Sequence, residues 1–453
     1  MSIPSVLVLP FPAQGHVNPM MILSEKLVEN GCKVVFVNTE FNHKKMVSCM
    51  VEQEEEESLI KLVSIPDGLE GDDDRKDLAK VSDVILSTMP GALEKLIIEE
   101  NMSLKDEKRI RLIVADIHMG WALNVGCKLG IKGALFSPAS AAMFALLHNI
   151  PTLIHHGVIN SDWSLLTTKK TIQLSPGMIE MDTGTLFWLN LGTINVRQVL
   201  NYLETCARAF NLTELWFCNT TYELEPRVLT FLPKILPIGP LLRNYCNINE
   251  STRSVGQLWE EDLSCMSWLD QQPHCSVIYV AFGSFTLFHQ NQFNELALGL
   301  DLTNRPFLWV VREDNKMAYP NEFQGLKGKI VNWGPQQKVL SHPAIACFLS
   351  HCGWNSTMEG LCNGVPFLCW PYFADQIYNK VYICDELNVG LGLDCDENGV
   401  VSRWEIKKKL EQVSSSVNIR TRSLKLEEKI KNNQLDKGRS SENLNKLVKW
   451  LKE

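Results

Sequence analysis

The sequence predicts an α/β protein made of two doubly wound domains, each a parallel sheet with helices on its faces. Two series of short apolar runs alternating with helical stretches predict this, and a Pro/Gly/Asn-rich stretch separates them. The first series opens with Val6-Leu7-Val8-Leu9, a strand-like run broken by Pro10-Phe11-Pro12. A helix is expected from about Pro19, a residue suited to a first helical turn, with Met20, Leu23, Leu27 and Val28 as its apolar stripe. Gly31 stops it, and Lys33-Val34-Val35-Phe36-Val37 reads as a second buried strand. Strand, helix and strand in this order make a parallel pair with a right-handed crossover. Ile110 to Ala115 is a further strand, ending at Asp116.

The second series begins with the strand Ser276–Ala281, which runs into Phe282-Gly283-Ser284. A helix (Asn291 to about Thr303) and the strands Phe307–Val311, Gly328–Asn332 and Ala346–Leu349 follow, then a helix Ser356–Cys362 and a strand Pro366–Cys369. The expected domains are 1–240 and 257–436, joined by a linker at 241–256 that starts after Leu236-Pro237-Ile238-Gly239-Pro240. Each is long enough for its own core.

Composition narrows the function. Hydrophobic residues make up 45% and charged ones 21%, an ordinary globular balance. A net charge of −8 argues against a nucleic-acid binder. Fourteen cysteines without a CxxC pair suit reduced, mostly buried thiols in a cytoplasmic protein. The N-terminus lacks the basic region and cleavage site of a signal peptide. Gly133 to Ser161 holds no Asp, Glu, Lys or Arg, yet Pro138, His148, Asn149, Pro151, His155 and His156 would be costly in lipid, so a buried strand-loop-helix is expected there. Glu54 to Glu57 and the Gly68–Arg75 loop read as solvated segments, Asp72-Asp73-Asp74 included, rather than as a metal site. The excess of Lys and Arg after Trp404 reads as the solvated faces of soluble helices.

Residues Trp333 to Gln376 carry the chemistry. They run Trp333-Gly334-Pro335-Gln336, His342-Pro343, His351-Cys352-Gly353-Trp354-Asn355-Ser356, Glu359, Gly364-Val365-Pro366 and Asp375-Gln376. A strand ends at His351, Gly353 lets backbone approach a ligand, and Asn355-Ser356 opens a helix whose unpaired N–H groups and dipole favour an anion. Glu359 can accept from vicinal hydroxyls, and Trp333 offers a face for a base. These are the parts of a site for a phosphorylated, hydroxyl-rich ligand.

That segment closely resembles the signature box of plant family-1 UDP-dependent glycosyltransferases, without a gap, and the N-terminal half resembles a group-83-like branch of those enzymes. The likeness extends from Pro10-Phe11-Pro12-Ala13-Gln14-Gly15-His16 to the C-terminal helices. The resemblance implies a GT-B fold, two Rossmann-like domains facing across a cleft, with a last helix (437–453) returning to the N-terminal domain. It implies a hexose, most simply glucose, moved from a UDP-sugar to a hydroxyl of a small acceptor with inversion to a β-glycoside. Trp333 would stack on uracil and Gly334 bond its edge, where the family more often has Ala or Cys. Gln336 and Glu359 would hold ribose. Ser284, His351, Asn355 and Ser356, with Gly353 between them, would hold the diphosphate. Trp354, Asp375 and Gln376 would hold the hexose. No metal and no cofactor beyond the co-substrate UDP-glucose is expected, and the protein is expected to be a monomer.

An acceptor hydroxyl is a poor nucleophile at neutral pH and needs a general base. His16 follows the first strand at the carboxyl edge of its sheet, and Asp116 ends a neighbouring strand, where α/β sites form. Together with the matching family motifs they read as a His–Asp dyad, the carboxylate fixing the imidazole tautomer. A nicotinamide-dependent oxidoreductase would need a G-x-G-x-x-G after a strand, and a serine hydrolase a G-x-S-x-G elbow; neither is present. A binding protein that only holds the nucleotide sugar would have no use for the dyad. The acceptor is expected in the N-terminal domain, near Phe11, Pro66–Met89, Met119, Ser137–His148 (with Phe144) and Leu186–Leu203. These largely apolar stretches suit a flavonoid, another phenolic, a terpenoid or a steroid.

Overall fold

The computed structural model describes residues 4–49, 59–71, 73–102, 109–166, 168, 171–190, 196–213, 215–243, 256–434 and 438–452. Glu54 to Glu57, Asp72, residues 191–195 and residues 244–255 of the expected linker lie outside them. The chain divides into two compact units, Met1–Trp259 with Asn433–Glu453, and Glu260–Asn432.

The first unit alternates β1 (Ser5–Leu9), α1 (Gln14–Glu29), β2 (Lys33–Thr39), α2 (Glu40–Ser48), β3 (Ile60–Ile65), α3 (Leu78–Met102), β4 (Ile110–Asp116), α4 (Ala122–Lys128), β5 (Lys132–Ser137) and α5 (Ala141–His155). A two-residue pair, β6 (Thr171–Ile172) and β7 (Met181–Asp182), precedes α6 (Val196–Ala207), β8 (Trp216–Cys218), α7 (Pro226–Phe231) and β9 (Ile235–Pro237). Its main sheet is parallel throughout, in the order β3-β2-β1-β4-β5-β8-β9. Val6, Val8, Val34, Phe36, Leu112 and Val114 from these strands meet Val17, Met20, Leu23 and Leu27 of α1 in one core. Strands covered on both faces can be apolar at every position, which is why they read as unbroken runs.

Helix α1 starts five residues before the expected Pro19, which lies inside it. Local propensity loses here to a long-range tether. The Gln14 amide donates to Gly256 O and Gln257 Oε1 and accepts from Leu258 N, holding the first turn against a segment far along the chain. The uncharged Gly133–Ser161 stretch forms β5 and α5, with the Glu225 carboxylate accepting from Ala141 N and Ala142 N at the buried start of α5. Among the described residues no helix is long and apolar enough to cross a membrane.

The second unit contains α8 (Ser264–Leu269), β10 (Val277–Ala281), α9 (Gln290–Leu302), β11 (Phe307–Val310), β12 (Gly328–Val331), α10 (Gln336–Ser341), β13 (Ile345–Ser350) and α11 (Trp354–Cys362). It continues with β14 (Phe367–Cys369), α12 (Gln376–Val381), β15 (Gly390–Gly392), α13 (Arg403–Ser415) and α14 (Val417–Gln434). Its sheet is again all parallel, β12-β11-β10-β13-β14-β15. Helix α11 opens at Trp354, two residues before the expected Ser356, so Gly353 is its N-cap and Asn355 and Ser356 lie in its first turn. The chain then returns to the first unit as α15 (Arg439–Lys452), whose Leu447, Val448 and Leu451 complete the core around α1.

In both sheets the strand order reverses at one place, between β1 and β4 and between β10 and β13. In open parallel sheets the crevice beyond the carboxyl ends at such a reversal is where ligands bind. His16 and Asp116 follow β1 and end β4; Ser284 and His351 follow β10 and β13.

Candidate active site

In the first unit, register pairs Leu9 with Ala115, so the β1 loop and Asp116 emerge side by side. His16 Nδ1 lies 2.7 Å from Asp116 Oδ2, and Asp116 Oδ1 accepts from the His118 backbone N–H at 2.9 Å. The Asp116 side chain is fully buried. Burial alone would push its carboxyl up, but the charge and hydrogen bond of His16, with His118 beside it, outweigh this and hold it well below the usual carboxylate range. A permanent carboxylate bonded to Nδ1 keeps that proton in place and leaves Nε2 as the lone-pair nitrogen.

Phe11 lies beside the dyad, its ring 5.3 Å from that of His16 and 6.0 Å from that of His118. Met119, Ser137 and Phe144 are buried. The Tyr202 hydroxyl reaches Met119 Sδ at 3.4 Å, and Ser137 Oγ donates to Ala139 O. Phe144 packs into an aromatic cluster with Phe210 and Trp216. Asp73 pairs with Lys80 in the first turn of α3, and Asp74 caps Lys76 N–H, so both carboxylates are engaged close by in the sequence.

In the second unit the His351 imidazole is flanked by two glycines. A Cβ on Gly283 (φ +65°) or on Gly353 would come within 2.5 Å of His351 Nε2. Burial pushes the pKa of His351 down to about 4, opposed by the neighbouring Ala281 backbone and helped by the nearby Arg312 charge. The ring is therefore neutral at pH 7. Cys352 (φ +64°) and Ala374 (φ +54°) take left-handed backbone that non-glycine residues rarely adopt, one in each loop of this region.

Gln336 Nε2 donates to Glu359 Oε2 at 2.7 Å and to Ser356 Oγ at 2.8 Å, while its oxygen accepts from the Tyr279 hydroxyl. Ser356 is thus drawn to the Gln336–Glu359 pair. Trp333 is half-buried, and its carbonyl accepts from Asp262 N. Trp354 is buried and Asn355 half-buried in the first turn of α11. Asp375 Oδ2 accepts from Asn379 Nδ2, and Gln376 Oε1 from the backbone of Tyr372 and Phe373, so only the NH2 end of Gln376 can serve a ligand. At Gly334 a Cβ would meet nothing nearer than 3.8 Å, so an alanine would fit there without a shift.

A protein-family model described as "UDP-glucoronosyl and UDP-glucosyl transferase" matches residues 240–424. UDP-glycosyltransferase 83A1 of Arabidopsis thaliana is 41% identical over 99% of this chain and 97% of its own length. The chain belongs to the plant family-1 UDP-glycosyltransferases. Its branch is that of the group-83 enzymes. The (R)-mandelonitrile beta-glucosyltransferase of Prunus dulcis is 34% identical, over 86% of this chain and 85% of its own. The crystal structure of Os79 from O. sativa with UDP matches with a TM-score of 0.81 at 25% identity, over 98% of this chain and 100% of that one. The two Rossmann-like units of this glycosyltransferase are those of a GT-B fold.

Three residues of the glycosyltransferase escaped the reading of its sequence. Arg312, buried after β11, donates to Gly283 O and Thr286 O and pairs with Asp314, bracing the loop that carries Ser284. Asn379 donates to both Asp375 Oδ2 and Cys352 O, tying the Asp375 loop to the His351 loop. Its spacing of four from Asp375 was the available signal. His118 had one too, since it stands two residues from Asp116 at a strand end.

Proposed function

We propose that this glycosyltransferase moves glucose from UDP-glucose to a hydroxyl of a small lipophilic acceptor (a flavonoid, another phenolic, a terpenoid or a steroid), forming a β-glycoside with His16 as general base. The observation that carries this is the 2.7 Å bond between His16 Nδ1 and a buried, ionised Asp116 at the sheet reversal. Nε2 takes the acceptor proton as its oxygen attacks the anomeric carbon, UDP leaves from the opposite face, and Asp116 stabilises the imidazolium. The β-glucosyl product named for the Prunus dulcis relative agrees with that inversion. A panel of aglycones incubated with UDP-glucose and read by mass tests the reading. Products with no added hexose across the panel, despite UDP-glucose binding, would overturn it.

The proposed donor roles are those that the resemblance implies. Trp333 stacks on uracil, Gly334 bonds its edge, and Gln336 with Glu359 holds the ribose. Ser284, His351, Asn355 and the α11 N-terminus hold the diphosphate, with Ser356 at its junction with the ribose pair. Trp354, Asp375 and Gln376 hold the hexose. A neutral His351 donates a hydrogen bond to the leaving diphosphate rather than a full charge. Gly353→Ala drives a methyl to within 2.5 Å of His351 Nε2 and displaces the ring. It is expected to raise the KM for UDP-glucose at least about tenfold, as losing one or two well-made bonds does. An unchanged KM would show that His351 does not hold the donor.

Asp375→Ala is expected to cut kcat/KM with UDP-glucose at least about tenfold, since it removes a hexose bond and frees Asn379. Steady-state kinetics at saturating acceptor reads this. No carboxylate stands among the residues assigned to the diphosphate, so transfer is expected to continue in EDTA. Loss restored by Mg²⁺ would move attention to the Asp73 loop. Asn355-Ser356-Thr357 is an N-glycosylation sequon at the α11 N-terminus, where a glycan would block the donor, which favours a cytoplasmic protein.

A further inference from the structure

Asp116 meets two imidazoles, not one. His16 Nδ1 lies 2.7 Å from Oδ2, and His118 Nδ1 lies 3.3 Å from Oδ1. The His118 nitrogen is buried and, despite that short distance, has no hydrogen-bond partner. The two rings cross at 74° with centroids 5.3 Å apart, and one ligand atom from each of the three residues falls within 4.8 Å of the others. Two segments supply them. Asp116 and His118 stand two apart where β4 ends, and His16 comes from the first turn of α1.

We propose that His16, Asp116 and His118 form an inhibitory site for a divalent transition metal, Zn²⁺ being the best match. Two imidazoles and a carboxylate on one side of an ion are a common three-ligand set with open positions left for water. Bonds of about 2.0–2.1 Å in tetrahedral geometry place neighbouring ligand atoms about 3.3 Å apart. The Asp116–His118 pair already has that spacing, though through Oδ1, whereas His16 meets Oδ2 at 2.7 Å; with the three ligand atoms spread within 4.8 Å, rotation of the two rings has to close the set by up to about 1.5 Å. The ligands are held: Tyr202 Oη and Cys206 Sγ donate to the His118 carbonyl, and Phe11 packs against both rings. The site is also open enough to fill, since the two histidine side chains are 23% and 24% exposed.

Binding at Nδ1 reverses the tautomer of His16. The metal takes the Nδ1 lone pair, the single proton of the neutral ring moves to Nε2, and Asp116 turns its oxygen from that proton to the ion. Nε2 then has no lone pair to accept the acceptor's proton. The donor residues of the second unit are untouched, so kcat falls while the KM for UDP-glucose stays. This inhibitory consequence rests on His16 being the base; the site itself does not.

Titration of the full chain with Co²⁺, its thiols kept reduced, reads the site without any turnover. One equivalent should bind with visible ligand-field bands and no thiolate charge-transfer band. Zn²⁺ should inhibit transfer reversibly by EDTA. His118→Gln, or His118→Asn where Gln does not fold, should weaken that inhibition at least about tenfold relative to its own metal-free rate. A thiolate band, no stoichiometric band, or equal Zn²⁺ sensitivity in the variant would overturn the site. One equivalent of Co²⁺ bound with the transfer rate unchanged would support the site and count against His16 as the base.

Discussion

His16→Ala is expected to lower kcat by about 10²–10⁴-fold, the span covered by general base catalysis, while UDP-glucose binds nearly as before. The separation of effects follows from placement. Every residue assigned to the donor lies in Glu260–Asn432, and His16 lies in the other unit. The variant leaves a small gap beside Phe11 and removes the proton acceptor, so an acceptor that ionises unaided should suffer least. An acidic phenol should retain a larger fraction of its rate than an aliphatic alcohol. Single-turnover rates alongside calorimetric donor affinity give the answer. If donor affinity collapses while the rate per bound donor is unchanged, His16 is not the base.

Asp116→Asn is expected to cost about 10²-fold or more, and the direction is decided by His118. The Oδ1 of Asp116 accepts the His118 backbone N–H, a buried donor that keeps its acceptor in the variant. The amide oxygen therefore stays on that side, and the NH2 turns to His16 Nδ1. Nδ1 must then accept, the ring proton sits on Nε2, and the base is in the wrong tautomer. Stability should respond as well. Because the folded carboxyl is held below its unfolded value of about 3.9, its contribution is complete above that pH and is lost as the pH falls through the folded value. The variant should thus be less stable than the parent at pH 7, by a margin that narrows below about pH 4. Equal denaturant midpoints at pH 7 together with undiminished turnover would remove Asp116 from the mechanism.

How far the sequence could be read depends on how far each signal reaches along the chain. Strands β1, β2, β4, β10 and β13 were visible because burial on both faces leaves apolar runs. Strand β15 is Gly390-Leu391-Gly392, with no run to see, and β3 lies at a sheet edge where only Ile65 is buried. The donor region was legible since its residues sit within one segment at fixed spacings. Arg312 was not, because its role is to hold carbonyls in a loop after another strand. The start of α1 was misplaced at Pro19 for the same reason: what sets it is Gln14 reaching Gly256–Leu258.

Helix α15 bears on how the chain is made. The first unit's core is finished by Leu447, Val448 and Leu451, and Asn443 bonds to Pro237 O at its edge. A ribosome builds all of Glu260–Asn432 between the main body of that unit and the helix that closes it. At about 5–20 residues per second this takes roughly 9–35 s. Throughout that interval the nascent first unit presents an apolar groove beside α1, sized for a helix that has not yet been synthesised. Chaperone occupancy should therefore persist well past Trp259 on ribosome-bound chains and fall only after residues 439–452 have left the ribosome.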